Sequence, residues 1–331
     1  MKTEPRTGYF MTWLPLILLP ALLILGVCAG AFWISPAEIF TLGEVNPRLD
    51  PVADLRLLRM LAAMTVGASL ALSGMVFQAI LRNPLAEPFI LGISGGAGVG
   101  AALVIVSGLT ALSVLSIPLG ALTGALAALA LVLGISRRGR RGQENLLLSG
   151  VITGTVAGSI LMFLISIAHS DQLAGITWWM LGDLQTADPV LLIPCAAALV
   201  LSAGTVWYCS RGVNALSIGD SEAWNLGVDT RKLTVVLVIA ASLPAAFSVS
   251  LAGVIGFCGL IVPHLVRRLY GCDHRKITPL VCLWGADFLM GCDILSRLPY
   301  PFKEIPIGVI TSLIGGPLFL WIINRRTGRE N

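Results

Sequence analysis

The sequence predicts an all-α, polytopic membrane protein of about ten transmembrane helices, with both termini in the cytoplasm. Three observations predict it. The 331 residues are 56% hydrophobic and only 12% charged, with a mean hydropathy of +0.87; soluble domains carry about 25% charged residues. Apolar runs long enough to cross a hydrocarbon core of about 30 Å recur along the whole chain. Lysine and arginine alternate between rich and poor loops in step with those runs. The ten-residue alternation of a transmembrane β-barrel is absent. The net charge of +4 is therefore a topology signal and not a nucleic-acid footprint.

Glycine, proline and charge punctuate the runs into spans at about 12–33, 58–81, 90–108, 114–136, 145–169, 189–209, 232–250, 254–268, 277–297 and 305–324. They form one transmembrane domain over 1–331, with a short cytoplasmic N-terminus at 1–11. The first run lacks a small-residue cleavage site and is read as a retained span. The second carries Gly67, Ala68, Ala71 and Gly74, and the fifth carries Gly150, Gly154 and Gly158. Such small-residue faces let helices approach closely. The third and eighth spans are short, and the eighth holds Gly253, Gly256 and Gly259 just before Pro263. The longest segments outside the spans, 34–57 and 170–188, are extracytoplasmic. With the N-terminus inside, only Arg48, Arg56, Arg59, Arg297 and Lys303 fall outside. The seven cysteines lack metal-ligand spacing and are read as small buried hydrophobes. Neither a metal nor another cofactor is expected. Asp287, inside the ninth span, reads as a buried hydrogen-bonded acid; its sharper reading is an ion relay.

Two enzyme patterns fail on context. Gly92-Ile93-Ser94-Gly95-Gly96 matches a hydrolase elbow, which needs a strand–turn–helix with a histidine and an acid close by. Gly96-Ala97-Gly98-Val99-Gly100-Ala101 matches a dinucleotide fingerprint, which needs a βαβ unit. Both open a membrane span. A phosphate-binding G-x-x-x-x-G-K-[ST] loop is absent from the sequence, so this chain has no such site for ATP. The cytoplasmic segment 212–230, between spans six and seven, holds Gly219-Asp220-Ser221-Glu222-Ala223-Trp224-Asn225-Leu226-Gly227. Asp220 or Ser221 is expected to cap a short helix. Ala223 and Leu226 are expected to present a small apolar face, and Gly227 to end the helix. The loop Arg82-Asn83-Pro84-Leu85-Ala86-Glu87-Pro88 is kept from helix by its two prolines.

These motifs, in this order, resemble the FecCD family of ATP-binding-cassette importer permeases. The matching stretches are Leu55-Arg56-Leu57-Leu58-Arg59, Arg82 to Pro88, Leu91 to Ala97, Trp178-Trp179-Met180-Leu181-Gly182 and Ala223-x-x-Leu226-Gly227. Gly256 to Arg267, including Pro263 and His264, and Pro306 to Pro317 complete the series. The resemblance covers about 50–324. It implies a plasma (inner) membrane permease subunit that is not itself an enzyme, takes up iron-siderophore, haem or cobalamin, and pairs with a second permease copy. It further implies two ATPase subunits inside and a solute-binding protein outside. Siderophore is the expected cargo. An ion-coupled secondary transporter is the rival class, supported by Asp287 and the glycine-rich eighth span.

The resemblance also assigns sites. Asp220, Ser221, Glu222, Ala223, Leu226 and Gly227 form the element that couples to the ATPase. Arg56, Arg59 and Arg297 dock the binding protein, a role suited to bidentate guanidinium; the alternative is a local pair such as Asp293 with Arg297. Leu58 stands where the family usually has proline before Arg59. Gln143, Glu144 and Asn145 fall at the cytoplasmic gate, where the family carries smaller hydroxyl residues. Asn83, Pro84, Glu87, Pro88, Pro263, His264 and Arg267 belong to the loops that transmit movement.

Overall fold

The computed structural model describes residues 9–30, 32–36, 38, 50–136, 142–185, 188–298 and 304–327. Lys2, Arg6, Arg48, Lys303 and the basic run at 137–141 therefore lie outside the described residues. The described residues are helical almost throughout and contain no strand. The helices are α1 (Tyr9–Cys28), α2 (Asp50–Ile80), α3 (Ile93–Val106), α4 (Ser116–Ser136), α5 (Gly142–Ile167), α6 (Ser170–Met180) and α7 (Pro189–Tyr208). After these come α8 (Ser210–Ile218), α9 (Asp220–Asn225), α10 (Thr230–Ala252), α11 (Cys258–Tyr270), α12 (His274–Arg297) and α13 (Ile307–Thr327). Six of them are long and apolar enough to cross a bilayer: α2, α4, α5, α7, α10 and α12. Parts of α1, α3 and α13 are shorter apolar helices. With α11 these make ten, one for each predicted span.

α2 is the post around which the bundle is built. Its apolar window is 89% buried, that of α10 72% and that of α12 67%, against 28% for α4, α5 and α7. The last three therefore present their apolar faces outward. α2 packs on α12, α10 and α11, and glycines set the spacing. Gly67 lies against the backbone of Gly285, and Gly74 against that of Gly259. Between α3 and α4, Gly96 meets Gly124 and Gly100 meets Gly120. Close backbone approach of this kind is how helices associate where lipid removes the hydrophobic drive. In α5 Gly150 makes such a contact against Ile90 and Gly154 lies against Gly92, whereas nothing lies near Gly158.

Several boundaries differ from the sequence reading. α2 begins at Asp50, because Arg56 and Arg59 are turned inward and have partners there. The third span opens with a 3-10 turn, Pro88–Leu91, and Gly92 at φ +75° before α3 starts. The eighth starts at Cys258 because Gly253 (φ +68°) and Phe257 (φ +66°) both take left-handed backbone, which breaks the helix between α10 and α11. Segment 170–188, read as lying outside the spans, contains α6.

Candidate functional site

α9 is short because its ends are fixed. Gly219 is its N-cap, so Asp220 and Ser221 lie inside the first turn and neither makes a side-chain cap hydrogen bond. At the other end the Val228 N–H donates to Ala223 O at 3.0 Å and the Gly227 N–H to Trp224 O at 2.9 Å, with Gly227 at φ +79°. This is a Schellman closure, and the left-handed position favours glycine. The expected apolar face is corrected by burial. Ala223 is fully buried and seats α9 on the bundle, while Trp224, Leu226 and Ile218 are each about 70% exposed. The outward face is thus larger and more aromatic than expected. Glu222 accepts from the Ser221 hydroxyl at 2.9 Å; its own backbone N–H first, then this bond, hold its carboxyl below the ordinary range.

The free carboxylate of Asp220 joins three sequence-distant segments. Arg82 NH2 lies 3.3 Å from Asp220 Oδ2 and donates to Gln143 Oε1 at 2.7 Å. Gln143 Nε2 donates to Asp220 Oδ1 at 3.1 Å. One triangle therefore binds the turn after α2, the start of α5 and the start of α9. Arg82 holds a left-handed backbone, φ +48°. Glu144 lies in the exposed first turn of α5, where a negative charge suits the helix dipole. The Asn145 carbonyl accepts from Ser149 Oγ at 2.6 Å. Of the three predicted gate residues, only Gln143 is part of the triangle.

The loop that follows is tied to α11. Asn83 Oδ1 accepts from the Leu85 N–H at 2.9 Å, while Pro84 and Leu85 are exposed. Pro88 is buried against Gly259. The Glu87 carboxylate accepts from the Phe257 backbone, and burial pushes its pKa up. Gln78 in α2 donates to Ala86 O, Gly259 O and Leu260 O and accepts from Arg267. Pro263 is buried, and the His264 ring stands edge-on to Phe319 with centroids 6.1 Å apart.

At the opposite ends of α2 and α12, Arg56 and Arg297 of the three predicted docking arginines are buried, and Arg59 is half-buried. Arg56 NH1 donates to Val27 O at 3.0 Å and to Cys28 O at 3.2 Å, and its guanidinium lies 4.8 Å over the Phe32 ring. Arg297 NH1 donates to Gly26 O and Ala29 O, at 3.0 and 3.1 Å. These bonds satisfy carbonyls that the end of α1 leaves free. Asp293, fully buried, lies 2.8 Å from Arg297 NH2, the local pair that the spacing allowed, and accepts from Arg59 Nε at 2.7 Å. Glu304 takes Arg59 NH1 at 2.6 Å and Gln185 Nε2 at 2.8 Å. All three guanidiniums thus have partners within the chain, which corrects their reading as outward-facing charges.

Asp287 is buried, and neither of its oxygens has a hydrogen-bond partner. Its reading as a hydrogen-bonded acid is corrected: apolar residues of α12 flank it on both sides, and among the described residues no donor reaches it. Sequence reasoning missed Gln78, Glu304 and Asn214. A lone amide inside the apolar run of α2 was a signal for Gln78. Nothing local marks Glu304, which acts across 245 positions of sequence separation.

A helical bundle with outward apolar helices, carrying a short amphipathic helix tied into the body at one end, is the architecture of a transporter's membrane-spanning subunit. The chain belongs to the FecCD transport family, whose model matches residues 17–325. It is a multi-pass ATP-binding-cassette importer permease. It is 37% identical over 329 residues to the vitamin B12 import system permease protein BtuC of Klebsiella pneumoniae, covering 98% of this chain and 96% of the relative. It is 38% identical over 316 residues to BtuC of Escherichia coli, covering 93% and 92%. Its fold superposes with a TM-score of 0.84 and 30% identity on an inward-facing conformation of a metal-chelate type ABC transporter, covering 95% of this chain and 98% of that one. PsaBC of Streptococcus pneumoniae, at 17% identity and TM-score 0.51, shares the fold alone.

Proposed function

We propose that this chain is the plasma-membrane permease of an ATP-driven vitamin B12 importer. The observation that carries the reading is the Arg82–Gln143–Asp220 triangle, which joins the exposed helix α9 to the start of α5. An ATPase chain that grips Trp224 and Leu226 would move Asp220, and with it the inner end of α5. ATP is hydrolysed on two separate copies of that chain, since the phosphate loop is absent here. A second permease copy packs against outward-facing helices of this one, with the path between them. The relatives' names favour vitamin B12 over the siderophore expected from the family at large; haem is a less favoured cargo.

The outer binding protein docks at the end that holds Arg56, Arg59 and Arg297. Arg59 is the point of entry, because its partner Glu304 is 29% exposed whereas Asp293 is sealed. An incoming carboxylate displaces Glu304 and takes over its bond to Arg59. Specificity resides mainly on that protein.

The test is uptake by vesicles containing this chain, the ATPase chain and the binding protein. Radiolabelled vitamin B12 is expected to enter with ATP and not to be displaced by excess ferric siderophore. Uptake of the siderophore with no uptake of vitamin B12 would overturn the cargo.

A further inference from the structure

The segment carrying α9 is fastened to the bundle at a second place. Asn214, in α8, gives its whole side chain to the start of α12. Its Nδ2 donates to Asp273 Oδ1 at 2.9 Å, and its Oδ1 accepts from the His274 backbone N–H at 2.9 Å and lies 2.7 Å from His274 Nδ1. The amide orientation is fixed from both sides, since a carboxylate only accepts and a backbone N–H only donates. The same reasoning puts a proton on His274 Nδ1. Asp273 also caps α12 through the Arg275 N–H at 3.1 Å. The bond from Asn214 is the first cause holding its carboxyl below the ordinary value of 3.8. Arg275 in turn lies 5.9 Å over the Trp207 ring at the end of α7.

The placement gives these bonds leverage. Only Gly219 separates α8 from α9, and Val213, Ala215 and Leu216 of α8 are buried. α12 continues without a break for 24 residues, about 36 Å, and Asp293 in its last turns holds Arg59 and Arg297. We propose that Asn214 is a positioning residue that makes α8, α9 and α12 one moving unit. α9 then has two branches: Arg82 and Gln143 lead to α5, and Asn214 leads to α12 and the arginine cluster. The inference rests on the reading of α9 as the coupling helix.

Two readouts keep the two readings separable. In a Cys272→Ser background, spin labels at Ser217→Cys and Lys276→Cys, both exposed, report the α8–α12 distance in the full chain in nanodiscs without partners. A narrow distribution is expected, broadened by Asn214→Ala. It is expected to narrow again in the swap Asn214→Asp with Asp273→Asn, which reverses the bond between the two side chains and leaves position 214 an acceptor for His274. In vesicles with the partners, vitamin B12 moved per ATP is expected to fall about ten-fold in Asn214→Ala at equal complex content and to recover in the swap. An unbroadened distance or unchanged coupling in Asn214→Ala overturns the inference, as does a swap that fails to restore either. If Asn214→Ala does not fold, the swap decides: a folded, transporting swap supports the contact, and an unfolded one overturns it. If the wild-type chain binds no ATPase, the functional reading fails while the distance measurement still tests the contact.

Discussion

Gln143 and Asp220, 77 positions apart, share a 3.1 Å hydrogen bond between the first turns of α5 and α9, and Arg82 closes the triangle. The contact is exposed, so its worth to stability is about 0–1 kcal/mol. Its worth to transport is expected to be larger. Asp220→Ala should leave the melting temperature nearly unchanged and lower vitamin B12 moved per ATP about ten-fold. Wild-type coupling in Asp220→Ala, or in Gln143→Ala, would remove the triangle from the mechanism.

The α9 surface yields a paired prediction. Ala223 is buried and Leu226 is 68% exposed. Ala223→Arg forces a charge under α9 and should loosen the segment, seen as faster proteolysis at Arg231. Leu226→Arg should leave proteolysis unchanged and weaken capture of the ATPase chain. The opposite pattern would mean that α9 is turned the other way.

The arginine end separates stability from docking. Asp293→Ala leaves the buried Arg297 and the half-buried Arg59 without their shared anion and should cost about 3–5 kcal/mol. Glu304→Ala removes a partly exposed partner and should cost about 1 kcal/mol or less. By freeing Arg59 it should tighten capture of the outer binding protein, whereas Arg59→Glu should weaken it. Tighter capture is read as a slower off-rate; an unchanged off-rate in Glu304→Ala would remove Arg59 from docking.

Much of this was legible in sequence, for reasons that differ by element. The ten spans follow from apolar runs and basic loops, since a bilayer reads length and charge directly. The Gly67 and Gly74 contacts follow from spacing. The Schellman end at Gly227 follows from glycine's freedom. The turn at Phe257 was not legible, because a left-handed phenylalanine is held by its surroundings and not by its own preference. The inward arginines were hidden for a similar reason: their partners, the α1 carbonyls and Glu304, lie far off in sequence. Burial of Ala223 depends on which face of a six-residue helix meets the body, and so short a segment carries little periodicity.

Glu87 supplies the pH dependence. Burial raises its folded-state pKa above the ordinary 4.5, so folding favours the protonated form. The stability this contributes is full below pH 4.5 and is lost as pH rises through the raised folded value. Glu87→Gln keeps an acceptor for Phe257 and carries no charge. Thermal unfolding across pH should show a shallower loss toward neutral pH in the variant. Identical slopes would contradict the burial of a charge there.

Asp287 tests the ion-coupled rival. Asn keeps its size and removes the charge, so uptake driven by ATP should survive Asp287→Asn and an ionophore. Loss of uptake under both, at constant ATP, would favour the rival.

The most direct measurement is ATP hydrolysis and vitamin B12 uptake by sealed vesicles holding this chain with and without the ATPase chain, the binding protein being present and no ion gradient imposed. The predicted result is no hydrolysis and no uptake by the permease alone, and both when the ATPase chain is added. Uptake by the permease alone, or uptake that needs an ion gradient and not ATP, would contradict it.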